Sequence, residues 1–304
     1  MSVFNAYMEL SGKVDAEVIR GEKLSHRTTY RIGGPADLFV IPRNYQALTR
    51  TFEILGREGV PWAVLGRGSN VLVSDAGYRG CVIKLGREFT RIDVGEDGLV
   101  TAGAGALLTR LVAQAQQAGL SGLEMLTGVP GTVGGAVSMN AGMRYEWIGA
   151  RVSSVVTVKP REGMRRYQGT DIEWDYRWCS LPADEVILEA AFALTPADRQ
   201  AIATEMESRL ARRRLRQPMG LPSCGSVFRN PPKASAGRLV EECGLAGLTV
   251  GGAQISDKHA NFIVNRSGAS AQDVVTCMRR MHDEVKAAYD IDLTPEVKLL
   301  GFEE

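Results

Sequence analysis

The sequence lacks the residues from which metal sites and disulfide frameworks are built. The 304-residue chain has three histidines, which are scattered at His26, His259 and His282. Its five cysteines are odd in number and include no CxxC pair. This set argues against both a disulfide framework and a zinc site. We therefore expect no metal cofactor.

The sequence also lacks a charge excess and a long apolar run. Lys plus Arg number 36 and Asp plus Glu number 35, which leaves a formal net charge of +1. That balance gives no indication of nucleic-acid or anionic membrane binding. Charged residues at Glu9, Lys13, Asp15 and Glu17 replace the apolar region of a signal peptide, and no run elsewhere could span a bilayer. We expect a cytoplasmic protein without a nucleic-acid or membrane partner.

Glycine is what the sequence has in excess, and one glycine-rich stretch lies between two short apolar strands. The glycine loop (residues 66–70, Gly-Arg-Gly-Ser-Asn) follows a strand predicted over 62–65 and precedes another over 71–73. A dinucleotide-binding fold needs a helix after such a loop, so that fold is excluded. The remaining interpretations are a nest of backbone amides suited to a pyrophosphate and a plain hairpin connection.

A second glycine-rich stretch, the glycine segment (residues 126–142), alternates glycines with hydroxyl and apolar side chains. Its Val, Leu and Met content is too high for a solvent-exposed linker. It predicts either a backbone wall against a bound ligand or a tightly packed core crossing. Upstream, Gly103 and Gly105 open a predicted helix. The stretch over residues 103–108 lacks the third glycine of the dinucleotide fingerprint.

Several further segments have helical patterns. Asn44 is expected to cap a helix that Gly59 ends, and residues 1–24 read as a helical lead-in. Thr195 and Pro196 predict the N-cap and first turn of a helix through Ala211, which leads into an arginine cluster over 212–216. A last helix is predicted over 270–288, with Val274, Met278, Met281 and Val285 inward.

Two stretches concentrate reactive or charged side chains. The proline-flanked loop (residues 221–232) crowds two hydroxyls, a thiol, a guanidinium and an amide between prolines and a glycine. Such loops often meet substrates, and the alternative is an exposed turn. The second stretch (residues 174–180) places Arg177 between aromatic residues. That arginine is either a cation on aromatic faces or a fixed positive charge for a carboxylate.

Four motifs in one order resemble the UDP-N-acetylenolpyruvoylglucosamine reductase family. They are GxGSN at 66–70, GVPGTVGGA at 128–136, GSVFRNP at 225–231, and GGAQIS with KHANFIVN between 251 and 265. The resemblance implies an α+β protein: an N-terminal lead-in (1–24), an FAD-binding region of the PCMH or vanillyl-alcohol-oxidase type (25–200), and a smaller mixed α/β substrate-binding domain (201–304). No tyrosine-bearing insertion is present, which is typical of the shorter subclass.

What the resemblance implies for function is reduction of the enolpyruvyl group of a UDP-sugar in peptidoglycan precursor synthesis. NADPH is the implied reductant of FAD, followed by hydride transfer to C3 of the substrate and protonation of C2. The implied catalytic residues are Ser226 as proton donor, with Arg177 and Glu296 around the enolpyruvyl group. The implied substrate contacts are Arg216, Arg229, Asn230 and His259. The expected FAD contacts are Gly66, Arg67, Gly68, Ser69, Asn70, Gly103, Gly128, Gly131, Thr132, Gly134, Gly135, Ala136, Asn140 and Gly142.

The residues leave some alternatives open. Arg229 stands where many family members have Lys, which keeps the charge but changes the geometry. Cys224, two residues before Ser226, is either a packed small hydrophobe or an influence on reactivity. Two other functions remain as hypotheses: a flavin oxidase of the same fold acting on another sugar or alcohol, and a non-catalytic nucleotide-sugar binder.

Overall fold

The computed structural model describes residues 2–143 and 145–302. Its internal contacts divide the chain into two compact units. Unit 1 comprises residues 1–20, 38–67 and 80–211, and unit 2 comprises residues 21–37, 68–79 and 212–304. Across the described residues, no helix is long and apolar enough to cross a membrane.

The helices begin and end where capping residues allow. Asn44 accepts a hydrogen bond from the Ala47 amide at 2.8 Å, and Gly59 ends the helix in the left-handed region. Ser270 forms a reciprocal capping box with Asp273. Both predicted helices are thereby confirmed. The described residues contain α1 (Val3–Lys13), α2 (Tyr45–Glu58), α3 (Leu108–Gln117), α4 (Val133–Ser138), α5 (Arg199–Arg216), α6 (Ala236–Glu242) and α7 (Ala271–Tyr289).

Most strands are short, as expected of a chain with so many glycines. In the described ranges they are β1 (Ala16–Lys23), β2 (Pro35–Pro42), β3 (Trp62–Val64), β4 (Val71–Val73), β5 (Tyr78–Ile83), β6 (Ile92–Val94), β7 (Leu99–Gly103), β8 (Leu120–Ser121), β9 (Gly142–Met143), β10 (Glu146–Trp147), β11 (Val152–Lys159), β12 (Gly163–Gln168), β13 (Trp174–Asp175), β14 (Trp178–Cys179), β15 (Val186–Ala193), β16 (Thr195–Pro196), β17 (Thr249–Val250), β18 (Ala253–Ile255), β19 (Ile263–Asn265) and β20 (Lys298–Leu300).

Unit 1 is built around a five-stranded antiparallel sheet in the order β12-β11-β15-β7-β6. One of its two hydrophobic cores includes Val155 and Phe192 from this sheet and Leu111 from α3, and each of these side chains is fully buried. The second core includes Leu48 and Leu55 from α2. A further sheet has the order β1-β2-β5-β3, with β3 parallel to β5.

Two predicted helical segments are wrong. Thr195 and Pro196 do not start a helix, because they pair with Ser121 and Leu120 as β16 against β8. The helix begins later, at α5, where the Asp198 carboxylate accepts a hydrogen bond from the Ala201 amide at 2.8 Å. In the lead-in, only α1 is helical, and residues 16–23 form β1 because they pair in a sheet.

Unit 2 packs α7 and the antiparallel sheet β17-β18-β19 around one hydrophobic core. Val274, Met278, Met281 and Val285 of α7 are all buried in it, as their spacing predicts. In the same unit β20 pairs in parallel with β4, so the last described strand joins the segment after the glycine loop.

Close backbone packing near Gly77 generates a prediction about stability. A Cβ atom at Gly77 would lie 1.8 Å from the Pro35 carbonyl oxygen, and the φ of Gly77 is +83°. Gly21 also has a left-handed φ, +64°, but nothing lies within 4 Å of its added Cβ. Gly77→Ala should therefore cost at least ~3 kcal/mol, and Gly21→Ala only the backbone strain of ~1–2 kcal/mol. Urea unfolding followed by circular dichroism measures both, and equal losses would contradict the steric argument.

Candidate active site

The glycine loop leads from β3 into β4 with no helix after it, which confirms that the dinucleotide-binding fold is absent here. In unit 1, Gly66 lies against Thr132, because a Cβ at Gly66 would approach Thr132 Oγ1 to 2.4 Å. In unit 2, Gly68 has a φ of +63° and an added Cβ would lie 2.7 Å from the Arg27 carbonyl oxygen. Neither glycine accepts a side chain without movement. Arg67 is exposed.

The glycine segment is held against the entry to α3 by main-chain hydrogen bonds. The Gly134 amide donates to the Ala104 carbonyl at 2.9 Å, and the Gly131 carbonyl accepts from the Leu108 amide at 3.1 Å. An added Cβ at Gly134 would lie 2.8 Å from the Ala104 Cβ. Gly103 is equally confined, since its Cβ would lie 2.2 Å from the Phe89 carbonyl oxygen. The segment is thus a closely packed strip of backbone in unit 1.

This strip contains a hydroxyl without a hydrogen-bond partner among the described residues and an exposed glycine, both of which suit a bound ligand. Thr127 Oγ1 is buried and has no hydrogen-bond partner among the described residues, next to Gly128 with its φ of +74°. Buried hydroxyls are normally paired, so an unpaired one fits a site completed by a ligand. Thr132 is buried, whereas Gly135 is exposed and its added Cβ would meet only Thr132 Oγ1, at 3.6 Å. These features fit a polar cofactor along the strip.

The arginine hairpin (residues 174–179) is formed by β13 and β14, and it places Arg177 at its tip. Its backbone lies in the left-handed region with a φ of +59°, where a non-glycine residue is strained. Its Nη1 donates to the Gly142 carbonyl at 3.2 Å, and its guanidinium carbon lies 5.1 Å from the Tyr176 ring centroid. The contact with an aromatic face that the sequence offered as one alternative therefore exists, with Tyr176. Because the Arg177 side chain is only half-buried, its cation also reaches the surface of unit 1.

In unit 2 the proline-flanked loop is paired on both sides by backbone. Ser226 forms a β-bridge with Phe262, and Phe228 forms one with Pro295. Between them, the Val227 amide donates to the Asn261 carbonyl at 2.9 Å and the Val227 carbonyl accepts from the Glu296 amide at 2.8 Å. Ser226 and Arg229 therefore lie on one segment, Glu296 lies on a segment paired with it, and His259 lies at the turn just before Phe262.

Asn261 is a member of this group that the sequence reasoning did not single out. It is buried, its Oδ1 accepts from the Phe228 amide at 3.1 Å, and its Nδ2 donates to the Phe228 carbonyl at 2.8 Å. The two bonds fix the backbone that carries Ser226 and Arg229. The signal that could have found it is its place inside the KHANFIVN motif.

Asn70, the last residue of the glycine loop, also joins this group. Its Nδ2 donates to the Glu296 carbonyl at 3.1 Å, and its own carbonyl accepts from the Lys298 amide at 3.0 Å. The Asn70 amide thus fixes the main chain at the predicted catalytic carboxylate. Ser69 precedes it and is half-buried.

The predicted substrate contacts have distinct surroundings. The Arg229 Nε is buried and has no partner among the described residues, as expected of a cation reserved for an anionic ligand. The Asn230 Oδ1 accepts from the Ala236 amide at the start of α6, at 3.0 Å. Burial lowers the pKa of His259, and its Nδ1 lies 3.3 Å from the Asn261 amide as acceptor, so Nε2 carries the proton. Arg216 is exposed at the end of α5.

Burial raises the pKa of the Cys224 thiol to about 12 from an ordinary value of 9.0. Its side chain is fully enclosed in the unit 2 core, which favours the packed-hydrophobe interpretation. Nearby, the Ser223 carbonyl accepts a hydrogen bond from Thr29 Oγ1 at 2.7 Å, a structural contact. Among the described residues, no group of three or more His, Cys, Asp and Glu side chains could hold a metal ion.

The pKa of Cys224 predicts its reactivity. Because the thiolate is the nucleophile, Cys224 in the folded protein should react with iodoacetamide at pH 8 at least ~10²-fold more slowly than a free thiol. Half-buried Cys243 is the internal comparison. Since the folded pKa is raised, the stabilising contribution of the protonated thiol should decline as the pH rises from about 9 towards 12. Mass spectrometry of the alkylated peptides measures the labelling rates of Cys224 and Cys243. Rapid labelling of Cys224 would contradict the burial argument.

Comparisons with known proteins agree with one another. An FAD binding domain profile matches residues 36–161, and a profile of the UDP-N-acetylenolpyruvoylglucosamine reductase C-terminal domain matches residues 217–300. The UDP-N-acetylenolpyruvoylglucosamine reductase of Heliobacterium modesticaldum is 43% identical over 284 residues, covering 92% of this chain and 90% of that protein. That of Geobacter metallireducens is 40% identical over 300 residues, covering 98% of each chain.

A solved structure extends the likeness to three dimensions. The crystal structure of UDP-N-acetylenolpyruvylglucosamine reductase from Thermus caldophilus matches with a TM-score of 0.81 at 36% identity. The match covers 94% of this chain and 98% of that chain. Together with the two domain profiles, it confirms the predicted α+β fold class, with an FAD-binding region followed by a C-terminal domain.

Proposed function

Because the chain belongs to the UDP-N-acetylenolpyruvoylglucosamine reductase family, we propose that it reduces the enolpyruvyl group of UDP-N-acetylglucosamine enolpyruvate to give UDP-N-acetylmuramate. It is a flavoenzyme whose product serves peptidoglycan synthesis. NADPH is the proposed reductant. The single observation that supports the proposed site is the main-chain pairing of Val227 with Asn261 and Glu296, which brings the segments that carry Ser226 and Glu296 together.

FAD fits the residues present in each unit. When bound, FAD carries the hydride that NADPH provides and the enolpyruvyl group receives. The unpaired Thr127 hydroxyl and the glycine backbone of unit 1 support this assignment. In unit 1 the proposed contacts are Gly66, Arg67, Gly103, Gly128, Gly131, Thr132, Gly134, Gly135, Ala136 and Gly142, and in unit 2 they are Gly68, Ser69 and Asn70. Asn140 is proposed to contact FAD through its main chain, because its buried side chain bonds Asp175 and Gly149.

Arg177 is proposed to stabilise the negative charge that develops on the substrate carboxylate as C3 gains a hydride. A guanidinium stays charged at any physiological pH, so its alignment decides how well it stabilises that charge. The strained left-handed backbone at Arg177 supports a functional role, because a glycine would adopt this turn at lower cost.

Ser226 is proposed to donate the proton that C2 gains, which completes the addition of H⁻ and H⁺ across the double bond. A serine hydroxyl is a weak acid, so it needs a fixed position and nearby positive charge. Its β-bridge to Phe262 supplies the position, and Arg229 is the proposed source of the positive charge. Glu296 lies on the segment paired with Val227, and its carboxylate is proposed to lie beside the enolpyruvyl group of the substrate.

The remaining substrate contacts are proposed on the chemistry of their side chains. Arg229 is proposed to bind a phosphate or carboxylate oxygen through its unpaired Nε. Neutral His259 offers its Nε2 hydrogen to an acceptor, and Asn230 and Arg216 are further proposed contacts. We also propose the division into residues 1–24, 25–200 and 201–304, and a cytoplasmic location, where nucleotide sugars and NADPH are available.

The proton-donor assignment predicts a selective defect. Ser226→Ala should leave the rate of flavin reduction by NADPH within ~2-fold of wild type and lower single-turnover reduction of the enolpyruvyl sugar by at least ~10²-fold. Stopped-flow absorbance of the flavin measures both half-reactions under anaerobic conditions. Ser223→Ala is the matched control, because only the Ser223 main-chain carbonyl makes the bond to Thr29. If Ser226→Ala keeps both rates, another residue delivers the proton.

A further inference from the structure

We infer that Asn140 is a positioning residue that fixes Arg177 for the proposed reduction, and this inference rests on the proposed function. The Asn140 side chain is almost completely buried, with 3% exposure. Its Nδ2 donates to the Asp175 carbonyl at 2.8 Å, and its Oδ1 accepts from the Gly149 amide at 3.1 Å. One amide group therefore bonds the arginine hairpin and the turn that precedes β11.

Arg177 is attached to the same short segment by its own side chain. The Arg177 Nη1 donates to the carbonyl of Gly142, which lies two residues after Asn140. Asp175, whose carbonyl binds Asn140, lies two residues before Arg177. These two hydrogen bonds close a ring of contacts between residues 140–142 and 175–177. The ring fixes both the backbone and the guanidinium of Arg177 relative to the glycine segment.

Gly149 links the base of the hairpin to Asn140. A Cβ at Gly149 would lie 2.3 Å from the Trp174 ring, so that ring lies directly on the Gly149 backbone. The Gly149 amide donates to Asn140 Oδ1, which fixes the surface on which Trp174 packs. Cys179, at the far end of the hairpin, contacts the Ser138 carbonyl through its Sγ at 3.7 Å. Residues 138–142 thus hold the hairpin along its length.

The backbone of Asn140 explains why the residue is asparagine. Its φ is +42°, in the left-handed region that asparagine adopts more readily than most residues. Its side chain supplies one donor and one acceptor at a fixed spacing, which neither Asp nor Ala reproduces. Because misplacement of a charged group by about 1 Å can cost ~10²-fold in rate, loss of these bonds should act on catalysis through Arg177.

Two substitutions separate this role from a contact with FAD. Asn140→Gly keeps the left-handed backbone and removes both hydrogen bonds, and Asn140→Asp keeps the acceptor for Gly149 but removes the donor to Asp175. Each should slow single-turnover reduction of the enolpyruvyl sugar by at least ~10-fold. Flavin reduction by NADPH and the Kd for FAD should stay within ~2-fold of wild type. A matching loss of FAD affinity in both variants would overturn the positioning role.

The second arm of the experiment is a double-mutant cycle with Arg177→Ala. If Asn140 acts through Arg177, then Asn140→Gly should slow the Arg177→Ala enzyme by less than ~2-fold, since no guanidinium remains to be positioned. Thr157→Val is the matched control: Thr157 is fully buried in unit 1 and bonds Glu185, far along β11 from the hairpin. Thr157→Val should change the single-turnover rate by the same factor in the wild-type and Arg177→Ala enzymes.

The outcomes distinguish this inference from the proposed function. An equal slowing by Asn140→Gly in the wild-type and Arg177→Ala enzymes would overturn the positioning role while leaving the reductase activity intact. Failure of the wild-type enzyme to oxidise its reduced flavin with the enolpyruvyl sugar would instead overturn the proposed function. If Asn140→Gly does not fold, Asn140→Asp carries both arms of the test.

Discussion

The candidate active site of unit 2 depends on the two main-chain hydrogen bonds of Val227. Its N–H and C=O are bonded to segments on opposite sides, one through the Asn261 carbonyl and one through the Glu296 amide. Side chains of neighbouring residues on paired segments have little freedom to separate, because the register fixes them. The register therefore fixes the spacing of the main chain at Ser226, Arg229 and Glu296. Asn261 and Asn70 add side-chain bonds to the same backbone.

Asparagine recurs at these backbone junctions for a physical reason. An asparagine amide donates and accepts at once, so one side chain can satisfy a carbonyl and an amide on different segments. Asn140 does so in unit 1, whereas Asn261 in unit 2 bonds both the amide and the carbonyl of one residue, Phe228. Catalytic geometry then depends on residues that never touch a reacting atom. A search for charged and nucleophilic residues alone overlooks them.

The sequence predicted the parts of the fold that local chemistry decides. Asn44 and Gly59 bound α2, Ser270 caps α7, and the lack of a helix after Gly68 excluded the dinucleotide fold. Thr195 was misread because its capping chemistry is local, whereas its pairing with Ser121 comes from a segment more than seventy residues away. The roles of Asn261 and Asn140 are equally non-local. Their partners become neighbours only when distant segments pair, which no window of sequence contains.

The family match decides among the three functions that the residues left open. A flavin oxidase and a non-catalytic binder would both need glycine-rich backbone for a nucleotide, so the glycine loop and glycine segment cannot separate them from a reductase. The C-terminal domain profile over 217–300 can, because it covers the proline-flanked loop and Glu296. That region adds what a binder does not need, the proposed proton-donating hydroxyl of Ser226 on a paired segment.

Burial keeps two titratable side chains of unit 2, those of His259 and Cys224, neutral. Burial lowers the pKa of His259 and raises that of Cys224, so the imidazole carries no charge near pH 7 and the thiol keeps its proton. In the proposed reaction, the electrostatic field that favours developing negative charge comes from arginine side chains. Their placement, and not their protonation, is what the protein controls, and in unit 1 that placement depends on Asn140.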